Sequence, residues 1–253
     1  NWFGERTVAT PSGEVQLRDQ RIKQDNQVAR LVTQYDFNDR FNIKFSSTYN
    51  SVDRIGSDPF AQENFITGIQ PITIPSTYRK IVSGIGVGSK FFNQKLVGET
   101  FVKNYYLETE SASFFGESLT EELFDRSFGF GQSFKYEFDE TTYARISYEQ
   151  ATRIPEADEY FGDNLFLLPN PLLITEMSDN VNLGIATNLN ESNSINLEIN
   201  GFYRDTKDFI RIFPRDLLFS INRNSFTQIA KGVEVNLKVN PSETSSIRAA
   251  ITY

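Results

Sequence analysis

Residues 126–150, RSFGFGQSFKYEFDETTYARISYEQ, decide the fold because they alternate between two kinds of side chain. Aromatic residues take most even-numbered positions of the first half, with small or charged residues between them. Successive side chains of a β-strand point to opposite faces, so the alternation predicts a strand with one aromatic face. A turn at residues 139–141 leads to a second alternating strand. The two apolar faces coincide only if Phe138 lies opposite Thr142, which predicts a three-residue hairpin turn.

The two faces of this hairpin predict two different surroundings. The aromatic face is predicted to meet lipid, through Phe128, Phe130, Phe134, Tyr136, Phe138, Ile146 and Tyr148. The opposite face is predicted to line a water-filled interior. The same alternation in later strands extends this set of lumen-lining charges to Lys135, Glu137, Arg145, Glu149, Glu198, Arg204, Glu234 and Lys238.

The unit of strand, short turn, strand and long loop repeats along the chain. Short turns are predicted near residues 39, 93, 140, 192 and 243, with long loops between them. Outer-membrane barrels place short turns at one end and long loops at the other. The pattern therefore predicts an all-β, antiparallel up-and-down transmembrane β-barrel, with ten or eleven strands of roughly 10 to 14 residues in this chain. A large soluble β protein with an aromatic core is the alternative.

Some segments give a weaker pattern. The alternation in residues 95–110 is too poor to assign faces, and residues 118–124 are compatible with one helical turn. Long loops are expected at about residues 54–79, 111–125, 151–178 and 205–224. Gly84, Gly86 and Gly88 share one face of a predicted strand, where they leave room for a domain inside the barrel or bend its wall.

Composition excludes several functions. The 253 residues contain no cysteine and no histidine, and the formal net charge is −8. An acidic chain is a poor match for nucleic acid, and the usual zinc ligands and Cys or His nucleophiles are missing. No run approaches the 18 or so apolar residues of a membrane helix. The mean hydropathy is negative, as a barrel allows because only alternate strand residues face lipid.

Three blocks in the second half resemble the barrel of TonB-dependent outer-membrane receptors. They are ISYEQATRIPEADEYFGDN at 146–164, NPLLITEMSDNVNLGI at 170–185, and INLEINGFYRDTKDFIRI at 195–212 followed by KGVEVNLKVNP at 231–241. They follow the family's order and spacing over residues 128–253. Ile174 and Thr175 stand where the family commonly has Lys-Pro. The phenylalanine-rich strands and the PITIP segment at 71–75 are similar to versions from the Bacteroidetes.

The resemblance implies a barrel of about 22 strands with an N-terminal plug, located in the outer membrane of a Gram-negative bacterium. Residues 1–253 are expected to be part of that barrel, without the plug or TonB box. The family's function would be active uptake of a bulky, scarce solute such as an iron chelate, cobalamin or glycan. The implied partners are outer-membrane lipid, the TonB complex through the absent N-terminal part, a surface lipoprotein, and a small-molecule or glycan substrate. A non-TonB porin or adhesin barrel, or a soluble carbohydrate-binding β protein, is the alternative.

The candidate ligand contacts lie where a strand leaves the membrane. They are Arg153, Glu156, Asp158, Tyr160, Phe161 and Asp163. Aromatic rings could stack on a sugar or chelate while charged groups fix its polar atoms. The alternative is structural, with Arg153 paired to a loop carboxylate and Pro155 stiffening the strand exit.

No catalytic residue, cofactor or metal is expected. The acidic clusters at 121–125 and 158–163 lack the spacing of a known calcium loop, so solvated surface is favoured for them. Glu137, Glu149 and Glu234 could form an acid–base set for glycoside cleavage, but lining the lumen is the favoured role.

Overall fold

The computed structural model describes residues 2–9, 15–57, 75–112, 120–163, 167–190, 194–217, 219–242 and 244–253. In chain order the elements are β1 (Trp2–Ala9), β2 (Val15–Asp36), β3 (Phe41–Ser57), β4 (Pro75–Phe91), β5 (Leu96–Ala112), β6 (Thr120–Glu137), β7 (Thr142–Arg153), α1 (Ala157–Phe161), β8 (Leu167–Leu168), β9 (Glu176–Asn188), β10 (Ile195–Lys207), β11 (Ile210–Pro214), β12 (Ser220–Asn224), β13 (Gln228–Ser242) and β14 (Ser245–Thr252). None of the helical residues in these ranges forms a helix long and apolar enough to cross a membrane.

The main sheet is an antiparallel meander of eleven strands. Its order is β1-β2-β3-β4-β5-β6-β7-β9-β10-β13-β14, so each strand pairs with the next main-sheet strand in the chain. This confirms the predicted up-and-down topology and strand number. A separate three-stranded sheet has the order β11-β12-β8. Its β11–β12 hairpin lies within the segment that was predicted to be a loop at residues 205–224.

Several strands are longer than predicted. β2 has 22 residues, and β3, β4 and β5 have 17 each. The extra residues lie at the ends away from the short turns, where the sequence is polar and loses its alternation, as in residues 15–26. Paired strands extend past the alternating part because backbone hydrogen bonds do not require an apolar face. The predicted helical turn at residues 118–124 is wrong from residue 120 onward, since β6 begins there.

The short turns predicted near residues 39, 93 and 140 lie where they were predicted. The Phe138 amide donates to the Thr142 carbonyl at 3.0 Å, and the Phe37 amide donates to the Phe41 carbonyl at 3.0 Å, so both turns have three residues. The β4–β5 turn occupies residues 92–95, and Phe92, Asn93 and Gln94 all have positive φ. We call this end of the sheet the turn end, and the other the open end. Residues 58–74, 113–119, 191–193 and 243, which include parts of the predicted loops and turns, lie outside the described residues.

The register keeps the two faces separate across the sheet. Direct partners in antiparallel strands point to the same side, and Phe134 pairs with Ile146 while Lys135 pairs with Arg145. The first set forms the apolar face, whose side chains are widely exposed in this chain; Phe128, for example, is 56% exposed. The second set forms the polar face. All seven residues predicted to meet lipid lie on the apolar side, and all eight predicted lumen charges lie on the polar face.

The hydrophobic alternation of β5 is poor because two of its aromatic residues lie on the polar face. Its partners on β6 place Phe101 opposite Gly131, and Tyr105 opposite Ser127, so both rings lie on the polar face. A Cβ atom added at Gly131 would lie 2.3 Å from the Phe101 Cζ atom, which means that the tip of the ring occupies the space where a side chain at residue 131 would begin. Glycines on the neighbouring strand therefore let aromatic side chains occupy the polar face.

Candidate functional site

Ion pairs cover the polar face from β3 to β10. The Lys103 ammonium lies 2.8 Å from Glu149, and Arg145 lies 2.7 Å from Glu198. Two further pairs are Lys44–Glu99 at 3.5 Å and Lys135–Glu137 at 2.7 Å. These side chains are partly exposed, so each pair contributes little to stability. Their effect is to make the polar face hydrophilic, with positive and negative side chains next to each other.

Aromatic rings are interleaved with these cations. The Lys103 ammonium lies 4.6 Å from the centre of the Phe101 ring, and the Lys135 ammonium lies 4.4 Å from that of Tyr143. Both distances are within the range of cation–π attraction. Lys103 and Glu99 were absent from the predicted lumen set because the faces of β5 could not be assigned from sequence.

The remaining predicted lumen residues extend this surface toward β14. Arg204 donates through Nε to the Asn180 side chain at 2.8 Å. Glu234 pairs with Asn200 in the β10–β13 register, and Lys238 pairs with Asn196. The eight predicted residues thus share one face and lie on four strands, β6, β7, β10 and β13, rather than converging on a single point.

At the open end, residues 154–163 and 167–175 fold back over the polar face; we call these two stretches the mouth segment. It contains α1 and β8 and packs against β3, β4 and β5. The buried apolar cluster that joins them consists of Val52, Tyr78, Tyr105, Leu107, Ile154, Ala157, Tyr160, Phe161, Leu173 and Ile210. We call the eleven-stranded main sheet the wall. The buried hydrophobic cluster of this chain therefore lies at the open end and not along the rest of the wall.

Polar bonds fix the mouth segment to the wall. Arg54, only 8% exposed, donates through Nη1 to the Gly162 carbonyl at 2.6 Å and pairs through Nη2 with Asp158. The Tyr78 hydroxyl donates to the Pro155 carbonyl at 2.9 Å. These contacts come from β3 and β4, about a hundred residues earlier in the chain, and no local pattern predicted them.

Helix α1 is held by its own capping interactions. The Glu159 carboxylate accepts a bond from the Glu156 amide at 2.8 Å, forming one half of a capping box. Gly162 ends the helix with a φ of 65°, and an added Cβ atom there would lie 2.2 Å from the Leu167 carbonyl oxygen. The Tyr160 hydroxyl donates to the Leu173 carbonyl at 2.9 Å. Burial raises the pKa of Tyr160 well above its usual value, so its hydroxyl remains a donor.

The six predicted ligand contacts all lie in or beside the mouth segment. Tyr160 and Phe161 are buried. The four charged residues bond within the protein: Arg153 to Glu159 and Glu176, Glu156 to Lys80, Asp158 to Arg54, and Asp163 to the Leu167 amide. This arrangement favours the structural alternative for the resting chain. A role in ligand contact stays a prediction.

The β11–β12 hairpin rests on the mouth segment. The Asn170 side chain donates to the Asn222 carbonyl at 2.7 Å, and beside it the Ile210 amide donates to the carboxylate of Glu176, the first residue of β9, at 2.7 Å. The Asn224 amide group donates to the Ile174 carbonyl at 2.9 Å and its oxygen accepts from the Ile174 amide at 3.0 Å. Mouth segment and hairpin thus form one layered structure over the open end of the polar face.

Solved structures with this fold are outer-membrane receptors and transporters. The copper transporter OprC has a TM-score of 0.70 at 11% identity, over 97% of this chain and 40% of that one. An FrpB iron transporter from Neisseria meningitidis gives 0.68 at 11% identity, over 98% and 38%. BauA, the ferric preacinetobactin receptor from Acinetobacter baumannii, gives 0.60 at 12% identity, over 94% and 37%. The chain spans about two fifths of the length of these proteins, and the likeness shows the fold.

The sequence itself matches a family model. No curated protein sequence matches the chain. The model described as "TonB dependent receptor-like, beta-barrel" matches residues 118–253, which is more than half of the chain. TonB-dependent receptors are transporters of the Gram-negative outer membrane and not enzymes. The chain belongs to the TonB-dependent receptor β-barrel family, as the sequence resemblance predicted.

Proposed function

We propose that the protein containing this chain is an active outer-membrane transporter that takes up a bulky, scarce solute such as an iron chelate, cobalamin or glycan. The observation that carries the proposal is the eleven-stranded meander with one apolar and one polar face, in a chain of the TonB-dependent receptor family. The apolar face would meet outer-membrane lipid. The polar face would line the lumen through which the solute passes.

The lumen proposal gives the charged residues a role. Lys135, Glu137, Arg145, Glu149, Glu198, Arg204, Glu234 and Lys238 would surround a wet passage with charges of both signs. Paired charges and interleaved rings suit a large solute that is partly polar and partly aromatic, because neither sign of charge dominates the wall. Such a lining can contact a solute without holding one charge type tightly.

The substrate class is open to direct test. The similar structures are a copper transporter, an iron transporter and a ferric preacinetobactin receptor, so a ferric chelate is the first class to try. In the same proposal a plug within residues outside this chain would close the barrel, and TonB would supply energy through that part. A surface lipoprotein is a further partner for assays in the native cell.

The deciding experiment compares uptake in cells with and without TonB. Full-length parent protein is expressed in a receptor-deficient outer membrane, and uptake of radiolabelled ferric chelates, cobalamin and glycan oligomers is measured. Heat-modifiability on a gel checks that the barrel is folded. Uptake that disappears with TonB or the proton gradient supports the proposal. A folded, heat-modifiable protein that passes these solutes equally well without TonB would instead be a porin.

A further inference from the structure

We propose that Arg211 and Arg223 on the β11–β12 hairpin form an anion site at the mouth that receives a substrate carrying carboxylate or phosphate groups. This inference rests on the proposed transport function and narrows its substrate class. Neither residue belongs to the predicted ligand contacts or to the lumen charges described above.

The pairing of β11 with β12 brings the two arginines together. Arg211 lies directly opposite Arg223 in the antiparallel pair of β11 and β12. Direct partners have Cβ atoms about 4.5–5.5 Å apart, and like charges at that spacing destabilise a hairpin. Both side chains are exposed, and no carboxylate forms an ion pair with either one in the part of the chain that the structure describes. The hairpin therefore holds two guanidinium groups together without an acidic partner.

The surroundings of the pair suit a ligand with an apolar part. Phe213 and Ile221 pair with each other one step along the same face. The Arg211 guanidinium lies 4.4 Å from the centre of the Phe213 ring, which holds it in a stacked position. Stacking limits the rotamers of one arginine beforehand, so less entropy is lost when an anion binds.

The position of the hairpin favours a soluble solute over a lipid headgroup. Its opposite face carries Ile210 and Asn222, which are buried against the mouth segment. The mouth segment in turn packs on the polar face of the wall, through Tyr78 and Leu107. The hairpin is thus layered over the polar side of the sheet, whereas a lipid headgroup would lie beside the apolar side.

The local charge also differs from that of the whole chain. The chain has a net charge of −8. Residues 207–228 carry four cations and two carboxylates, namely Lys207, Arg211, Arg215 and Arg223 against Asp208 and Asp216. An anion that is repelled by the net charge of this chain is attracted at this hairpin, which would direct it to the mouth. Two guanidinium groups together match a ligand with at least two negative charges, which each can bind in a bidentate manner.

The test measures binding of two probes, radiolabelled pyrophosphate and citrate, to full-length parent protein in nanodiscs free of lipopolysaccharide. We expect saturable binding that weakens as salt rises. Replacing both arginines, R211Q/R223Q, should weaken binding by about tenfold or more, while R211K/R223K should have an intermediate effect because lysine keeps the charge but lacks the planar fork. Arg79→Gln is the matched control, since Arg79 is an exposed arginine near the open end that pairs with Glu108 at 3.0 Å.

A second variant separates charge from folding. Arg211→Glu places a carboxylate opposite Arg223, which should stabilise the hairpin while removing the cationic pair. Loss of probe binding in Arg211→Glu, with undiminished hydrogen-exchange protection of β11 and β12, supports the anion site.

Three outcomes would overturn the proposal. One is an R211Q/R223Q variant whose dissociation constants for both probes stay within about twofold of those of the parent. A tenfold change in dissociation constant would correspond to about 1.4 kcal/mol. Another is an equal loss in Arg79→Gln, which would indicate general screening. The third is a change only in lipopolysaccharide retained on purification from outer membranes, which would assign the pair to a lipid headgroup. Binding is measured without TonB, so its failure leaves the transport proposal standing, and failed uptake leaves the binding result readable.

Discussion

Replacing Arg54 by alanine should release the mouth segment from the wall. Arg54 donates to the Gly162 carbonyl at 2.6 Å and pairs with Asp158, and its guanidinium lies 5.6 Å from the centre of the Phe161 ring. Because the side chain is only 8% exposed, water does not replace these bonds while the segment stays packed. The loss should therefore appear as easier local opening of the mouth segment.

The magnitude follows from the bonds that are lost. A hydrogen bond to a charged group contributes about 1.5–3 kcal/mol, and two such bonds are removed. Freeing a long side chain offsets about 2 kcal/mol through regained rotamer entropy. Asp158 is 74% exposed, so its carboxylate is solvated in the variant and adds no large penalty. The net cost is about 1–4 kcal/mol, which corresponds to roughly 5- to 700-fold more frequent opening.

Hydrogen exchange of the full-length parent protein in detergent micelles measures this opening directly. The informative amides are those of Tyr160 and Gly162, which donate to the Glu156 and Asp158 carbonyls. Asp158→Asn serves as the control and should change exchange by less than about 1 kcal/mol, because its side chain is largely in water. Arg54→Lys should lie between the two. Exchange in Arg54→Ala within about threefold of the parent would refute the assignment of Arg54 as the anchor.

Three further changes test other parts of the fold. Tyr160→Phe leaves a buried carbonyl without its donor and should destabilise the mouth segment by about 1–3 kcal/mol, measured by the same exchange experiment. Gly131→Leu should lower the heat-modifiable fraction by displacing the Phe101 ring, and the double variant with Phe101→Ala should recover it; no recovery would contradict the packing. Hydrogen bonds from the Thr141 hydroxyl and amide lower the pKa of Asp139, so its stabilisation of the turn is present at neutral pH and lost as pH falls through that lowered pKa. Asp139→Ala should remove this acid-dependent part of the turn's exchange, and an unchanged pH profile would count against it.

The strands of the wall could be predicted from sequence wherever apolar and polar side chains alternate along the chain. The β6–β7 hairpin is the clearest case, because Phe134 and Ile146 had to share a face and this fixed the Phe138–Thr142 pairing. A register error of one residue would have put aromatic rings among charges. The physical constraint was therefore local and could be read within 25 residues.

Strand β5 shows where that reasoning stops. Phe101 and Tyr105 lie on the polar face and Val102 on the apolar face, so hydrophobicity does not distinguish its sides. The rings fit because Gly129 and Gly131 on β6 lack side chains. The space that accommodates an aromatic ring on β5 is thus provided by glycines on β6. It can be recognised only when the register between the two strands is known.

The mouth segment was beyond prediction for a different reason. Its motif was found, and Arg153 does pair with loop carboxylates, as one alternative proposed. Its partners, however, are Arg54 and Tyr78, about 75 to 105 residues earlier. One sequence without aligned relatives offers no signal for pairs so far apart. The cationic pair of Arg211 and Arg223 was hidden similarly, since it depends on a hairpin within a predicted loop.

The separation of wall and mouth also predicts how stability is divided in this protein. The wall exposes its largest apolar side chains on one face, and under the proposed function lipid would cover that face. The mouth segment instead buries Tyr160 and Leu173 against the polar side of the wall, and burial of that kind operates in water. Among the described residues, the polar anchors that join the two parts include the buried side chains of Arg54 and Tyr78. We therefore expect the mouth segment to open while the wall keeps its backbone hydrogen bonds, which in the proposed transporter would admit a solute without unfolding the barrel.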